Sequence, residues 1–181
     1  MTSQTASLTN PYNPNKAYFE CRPFGMAEFD TAPYRYITNV ELPCTPDALF
    51  DVFEDPASWP YWAVGIKKVE WTSPKPFRAG TTRTVTFADG TEVYERFIEW
   101  ERGRGLAFVL DGHSSEIWHS FGERYRVRDL GSGRCHFEWT VCYEPRGAFA
   151  KAHPWVKPAM ALAFKIYLFR LKRWCTKQAR S

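Results

Sequence analysis

Between residues 80 and 143 apolar and polar side chains alternate with a period of two, and after Pro145 the spacing changes to steps of three and four. The first pattern is that of strands burying one face; the second is that of an amphipathic helix. One face of a strand carries Ile117, His119, Phe121, Glu123, Tyr125 and Val127, while Trp118, Ser120, Gly122, Arg124, Arg126 and Arg128 make a largely polar opposite face. After a Gly131-Ser132-Gly133 turn, Cys135, Phe137, Trp139, Val141 and Tyr143 repeat the alternation. Upstream, Asp89-Gly90 joins the segments 81–88 and 91–101, because Asp-Gly supplies the positive φ that a tight hairpin needs. Arg102-Gly103-Arg104-Gly105 then turns the chain into 106–110.

In the C-terminal segment Met160, Phe164, Tyr167, Leu171 and Trp174 share one helical stripe. Pro158 suits a first turn, so the regular helix is expected to begin near it. Lys157, Lys165, Arg170, Lys172 and Arg173 interrupt the apolar run, whereas a membrane span needs about 20 nearly uncharged residues. A curved antiparallel sheet followed by a single long helix predicts an α+β fold. One helix covers a large sheet incompletely and leaves room for a cavity.

The chain divides into an extension, residues 1–33, and a domain, residues 34–178. The extension mixes Pro11, Pro14, Pro23, Pro33 and Gly25 with Tyr12, Tyr18, Phe19, Phe24 and Phe29. It is irregular, yet too aromatic to be left in water. Strand 91–101 offers it a docking place, with Val93 and Phe97 on one face and Tyr94, Ile98 and Trp100 on the other. The domain starts with a strand at 34–42. A short helix follows through Glu54, with Thr45 as N-cap and Asp47 in the first turn. A second helical turn at 57–62 precedes a strand at 66–73.

Eight Trp, nine Tyr and fourteen Phe in 181 residues are enough to fill a wide core or to line a pocket for an apolar ligand. Charge is uneven: nine Lys and Arg follow Glu144 and no acidic residue does, in a chain whose net charge is +4. Cations there complement the helix dipole and solubilise its outer face, or offer peripheral contact with a membrane or an acidic partner. Nucleic acid is not expected, because no basic-aromatic motif accompanies them. The five cysteines show neither CxxC nor a zinc spacing and read as free thiols in a reducing compartment. Residues 1–16 lack the basic start and apolar run of a secretion signal, so a cytoplasmic location is expected.

The passage from Val40 to Phe53, with Pro46-Asp47-Ala48-Leu49-Phe50-Asp51-Val52-Phe53 at its end, is followed by Trp59-Pro60-Tyr61-Trp62 and Phe77-Arg78-Ala79-Gly80. Together with Asp89-Gly90-Thr91, Glu99-Trp100-Glu101, Gly131-Ser132-Gly133 and Trp139-Thr140-Val141, it resembles the START-like SRPBCC superfamily, in its polyketide cyclase/dehydrase branch. The resemblance covers about Tyr34 to Lys177. It implies a helix-grip fold: a seven-stranded curved antiparallel sheet around a long C-terminal helix, with two short helices after the first strand. It also implies a hydrophobic small molecule between sheet and helix, and leaves the activity open.

Polar residues on inward faces are the clues to chemistry. His119, near neutral in its ordinary pKa, is the candidate general base. Arg83 alternates with Val85 and Phe87, and Arg96 with Tyr94 and Ile98; either arginine is placed to hold an enolate or phenolate. The other expected ligand contacts are Ile98, Trp100, Phe108, Phe121, Tyr125, Phe137, Trp139, Phe164 and Tyr167. Asp111, His113, Glu116 and His119 straddle a strand end without metal-ligand spacing, so no metal is expected. Gly103-Arg104-Gly105 lacks the third glycine and the strand-to-helix setting of a dinucleotide fingerprint, so no cofactor is expected, and no GxSxG elbow is present to mark a nucleophilic serine. The leading expectation is binding of an aromatic, polyketide- or lipid-like molecule. The alternatives are a cyclase or dehydratase without metal or nucleotide cofactor, and a module docking on a membrane or partner through the basic helix.

Overall fold

The alternating segments pair into one antiparallel sheet. A computed structural model describes residues 9–178 of the chain. Its elements are β1 (Phe19–Glu20), α1 (Glu28–Thr31), β2 (Tyr34–Leu42), α2 (Pro46–Glu54), α3 (Trp59–Trp62), β3 (Ile66–Trp71), β4 (Thr82–Phe87), β5 (Glu92–Glu101), β6 (Gly105–His113), β7 (Trp118–Gly131), β8 (Arg134–Pro145) and α4 (Gly147–Gln178). The sheet runs β2-β8-β7-β6-β5-β4-β3, with β1 added beside β6. Consecutive strands from β3 to β8 are therefore neighbours, and β2 returns to close the far edge.

Local chemistry sets the corners. The turn between β7 and β8 uses positive φ at Gly131, Ser132 and Gly133 (73°, 53° and 70°). Thr45 Oγ1 accepts from Ala48 N at 3.2 Å and caps α2, whose buried face carries Leu49, Phe50, Val52 and Phe53. In α3, Trp59 and Trp62 turn inward onto the same core.

The C-terminal helix starts at Gly147, eleven residues before Pro158, which corrects the expected start and leaves Pro154 and Pro158 inside it. An interior proline costs about 3 kcal/mol. Packing of the first turns opposes that cost: buried His153 meets Tyr143 Oη at 3.0 Å, and its ring stands 4.3 Å from that of Tyr34. Further along, Tyr36 donates to Ala161 O, and the Phe164 ring lies 5.1 Å from that of Tyr36.

The extension lies across the outer face of β5, β6 and β7. Tyr12 stacks on Tyr94 at 4.4 Å, and Asn10 Nδ2 donates to Tyr94 Oη at 2.7 Å. Tyr18 covers Gly112, where any side chain would overlap its ring, and Phe24 covers Gly122 in the same way. A small second core results, in which Phe24 and Phe29 pack on Ala107, Val109 and Cys142.

Three irregularities decide which side chains face inward. Pairing of β5 with β6 shifts register between Tyr94 and Glu95 and again between Phe97 and Glu99, and pairing of β7 with β8 shifts between Trp118 and Ser120. An extra residue reverses the alternation beyond it.

Candidate functional site

The space between the inner face of the sheet and the helices is filled at one end. Phe53 from α2 has the rings of Tyr125 and Phe137 at 5.1 and 5.6 Å, while Phe108 meets Phe97 at 5.4 Å. Arg83 from β4 is buried among these rings, its guanidinium 4.2 Å from the Trp59 ring centroid and 5.0 Å from that of Phe108.

A buried guanidinium cannot shed its charge and needs a counter-ion. Glu95 stands directly opposite on β5 and accepts from Arg83 Nε through Oε2. Burial pushes the Glu95 carboxyl up and the adjacent guanidinium opposes it. A second inward-facing carboxyl, Glu123, lies on β7. Its Oε2 accepts from Tyr125 Oη and Trp139 Nε1, both at 2.9 Å. Burial, then the charge of Glu95, push Glu123 up to about 8, against the two hydrogen bonds and Arg83. One cation thus serves two carboxyls, and burial holds both above the usual carboxylate range.

At the other end the rings separate around a cavity of about 500 Å³. Ile66, Phe87, Val93, Leu110, Trp118 and Phe121 form its sheet wall, and Met160, Ala163, Phe164 and Tyr167 of α4 form its roof. Glu95 is the buried charged residue in this wall, so the Arg83–Glu95 pair marks where the filled end meets the cavity.

Of the residues expected to contact a ligand, Phe121, Phe164 and Tyr167 line the cavity. Arg83, Phe108, Tyr125, Phe137 and Trp139 face inward and are buried in the core around it. Trp139 stands nearest, its ring 5.1 Å from Phe164 and 5.9 Å from Tyr167. Arg96 and Ile98 require correction. Both lie on the outer face, where Arg96 pairs with Asp111 and Ile98 packs on the Phe24 and Phe29 cluster. Trp100 is turned inward by the irregularity at Phe97–Glu99, away from Ile98, and joins Phe50, Trp71, Phe77 and Phe97 instead of the cavity wall. His119 is not among the cavity-lining residues; the shift after Trp118 gives that place to Trp118. Asp111, His113 and Glu116 go to separate partners, Arg96, the backbone of Trp118 and Arg146.

Glu95 was the residue missed. Counted outward from Asp89-Gly90, Thr86 faces Glu92, Val85 faces Val93 and Arg83 faces Glu95. Opposite charges at cross-strand positions beside a Val–Val pair are a signal of a buried ion pair. Alternation along 91–101 also groups Glu95 with Val93 and Phe97 on the buried face.

A curved antiparallel sheet closed by one long helix, with a cavity beneath that helix, defines the helix-grip class. Residues 35–174 match the family described as polyketide cyclase / dehydrase and lipid transport, and the chain belongs to that family. An uncharacterized protein of Mycobacterium tuberculosis is 38% identical over 156 residues, covering 86% of this chain and 93% of that protein. Among solved structures, the Zhui aromatase/cyclase of a Streptomyces species superposes with a TM-score of 0.69 at 12% identity, covering 82% of this chain and 96% of that one. A START superfamily protein of Mycobacterium smegmatis gives 0.66 at 12% identity, covering 80% and 98%. These likenesses establish a shared fold.

Proposed function

We propose that this protein binds a hydrophobic aromatic, polyketide- or lipid-like molecule between its sheet and α4, as a carrier or receptor without turnover. The observation that carries this reading is the apolar cavity of about 500 Å³, within the range of about 300–1,000 Å³ usual for small-molecule sites. The five cysteines are unpaired and fit a reducing, cytoplasmic setting. The enzyme alternative draws on the aromatase/cyclase named among the structural neighbours and assigns His119 as base. Native mass spectrometry of freshly purified protein, with titration of an apolar fluorescent probe, tests the binding reading. A retained molecule, or saturable probe binding lost in Phe121→Asp, supports it; no saturable binding overturns it.

A second reading concerns the outer face of α4. Trp155, 86% exposed, and Leu162, Ile166 and Phe169 recur at helical spacing on the side away from the sheet. Lys165, Arg170 and Arg173 stand among them, and Tyr61, Phe169, Arg170 and Arg173 border an open groove. A second copy of this face would set cations against cations, so the complementary occupant is an anionic bilayer surface. Co-sedimentation with phosphatidylserine vesicles, reduced by salt and by Trp155→Ser/Phe169→Ser, is the expected result. Equal sedimentation with neutral vesicles, or none with either, overturns it.

A further inference from the structure

Beside the cavity, two residues along β7 from Phe121 of its wall, stands a polar group that its own surroundings leave half used. Glu123 lies on the inward face between Phe121 and Tyr125 and across from Phe108 and Val141. Its Oε2 takes both available donors, Tyr125 Oη and Trp139 Nε1, and its Oε1 has no hydrogen-bond partner among the described residues. The residue nevertheless keeps accessible surface, although Phe108, Tyr125, Trp139 and Val141 around it are each at most 3% exposed. Glu123 does not itself line the cavity; it stands behind the wall, two residues from Phe121 and hydrogen-bonded to Trp139, which contacts the roof residues Phe164 and Tyr167. A buried carboxyl with one oxygen unpaired is costly unless something else completes it.

We propose that Glu123 is the polar anchor of the cavity, presenting its carboxyl proton from Oε1 to the carbonyl oxygen of an uncharged, otherwise apolar ligand such as an aryl ketone or ester. This deepens the binding reading above and rests on it. The ligand's body lies against Phe121, Phe164 and Met160, and its carbonyl points inward. Tyr125 and Trp139 are positioning residues: by holding Oε2 as acceptor, they direct the proton to Oε1. The groups facing Glu123 agree with a neutral acid. Arg83 on β4 is already engaged by Glu95 on β5; β6 brings Phe108 and β8 the Trp139 N–H; Tyr167 on α4, pushed up to about 12 by burial and by Glu123, stays protonated. A carboxylate ligand would add a third acid group around the one cation, Arg83, which Glu95 already engages, and is disfavoured.

The test uses 2-acetylnaphthalene and its isosteric alkene 2-isopropenylnaphthalene, titrated into the full-length protein by calorimetry at pH 6.5 and pH 9.5. A merely apolar cavity prefers the alkene, because the ketone must shed its hydration without compensation. With Glu123 as donor the ketone binds about tenfold tighter at pH 6.5. That preference disappears at pH 9.5, where Glu123, with its pKa near 8, has lost its proton. Glu123→Gln, which retains an N–H donor and the acceptor for Tyr125 and Trp139, keeps the ketone preference at both pH values; Glu123→Leu abolishes it at both. Equal or reversed affinities in the wild type at pH 6.5, or a preference surviving in a folded Glu123→Leu variant, overturn the anchor while leaving the cavity reading intact. Failure of both probes to bind overturns the cavity reading and the anchor with it.

Discussion

At the α2–α3 end of the interior, Phe53, Phe97, Phe108, Tyr125 and Phe137 interlock, whereas at the opposite end Phe87, Phe121 and Phe164 surround a cavity. Similar rings line both ends, so composition does not explain the difference. The covering elements do. Over the filled end, α2 and α3 turn Phe50, Phe53, Trp59 and Trp62 down into the curve of the sheet. Over the other, the 32-residue α4 presents small Ala163 and flexible Met160. A single long helix cannot follow a curved sheet along its whole length, and close packing fails where it departs.

This contrast is most sharply broken by truncating one ring at each end. Phe53→Ala at the filled end should cost about 3–5 kcal/mol in urea unfolding, and Phe121→Ala about 1 kcal/mol, since its site already borders space. Equal losses would mean that the two ends are packed alike. Next in size is the pH effect. The raised pKa of Glu123 means that the folded protein keeps a proton which the unfolded chain releases above about 4.5, so stability falls as pH rises from there to about 8 and levels off beyond. The slope from this group is at most about 1.4 kcal/mol per pH unit, and Glu123→Gln should remove it from denaturation curves taken between pH 5 and 9. Ala163→Phe should reduce affinity for an apolar probe about tenfold or more while changing the melting temperature little. A large loss of stability with unchanged binding would place the ligand elsewhere. The smallest expected effect is that of His119→Ala, which should shift a ligand's Kd by less than about tenfold. A several-hundredfold loss of turnover on a poly-β-keto substrate would instead favour the enzyme reading.

The strands and α2 were legible because they depend on local signals: alternation, the Asp89-Gly90 and Gly131-Ser132-Gly133 turns, and the Thr45 cap. Side-chain direction was legible only as far as the next bulge. Alternation groups Arg83 with Val85 and Phe87 but leaves open which face of the strand they share; β4 has no bulge in its pairing with β5, and that whole group lies inward. On β5, Arg96 and Ile98 follow Tyr94 on the outer face, which alternation leaves undecided because both faces carry large apolar residues, and Trp100 is exchanged to the inner face by the extra residue at Ile98. The early start of α4 was hidden because proline rules describe an isolated helix, and the contacts of His153 with Tyr34 and Tyr143 are long-range. Glu123 was placed on the correct face; its chemistry was not legible, because it depends on Glu95, Trp139 and Arg83 arriving from three other strands.

The two glycines beneath the extension have a consequence for the order in which the molecule assembles. Tyr18 rests on a platform made by Asp111 and Gly112, some 93 residues later in the chain. Phe24 waits similarly for Gly122. During synthesis residues 10–24 emerge well before β5, β6 and β7 exist to receive them, and they cannot find these hollows until those strands have paired. Their dispersed prolines and polar neighbours keep the waiting segment from forming competing structure of its own. The outer face is therefore closed late, by a segment translated early.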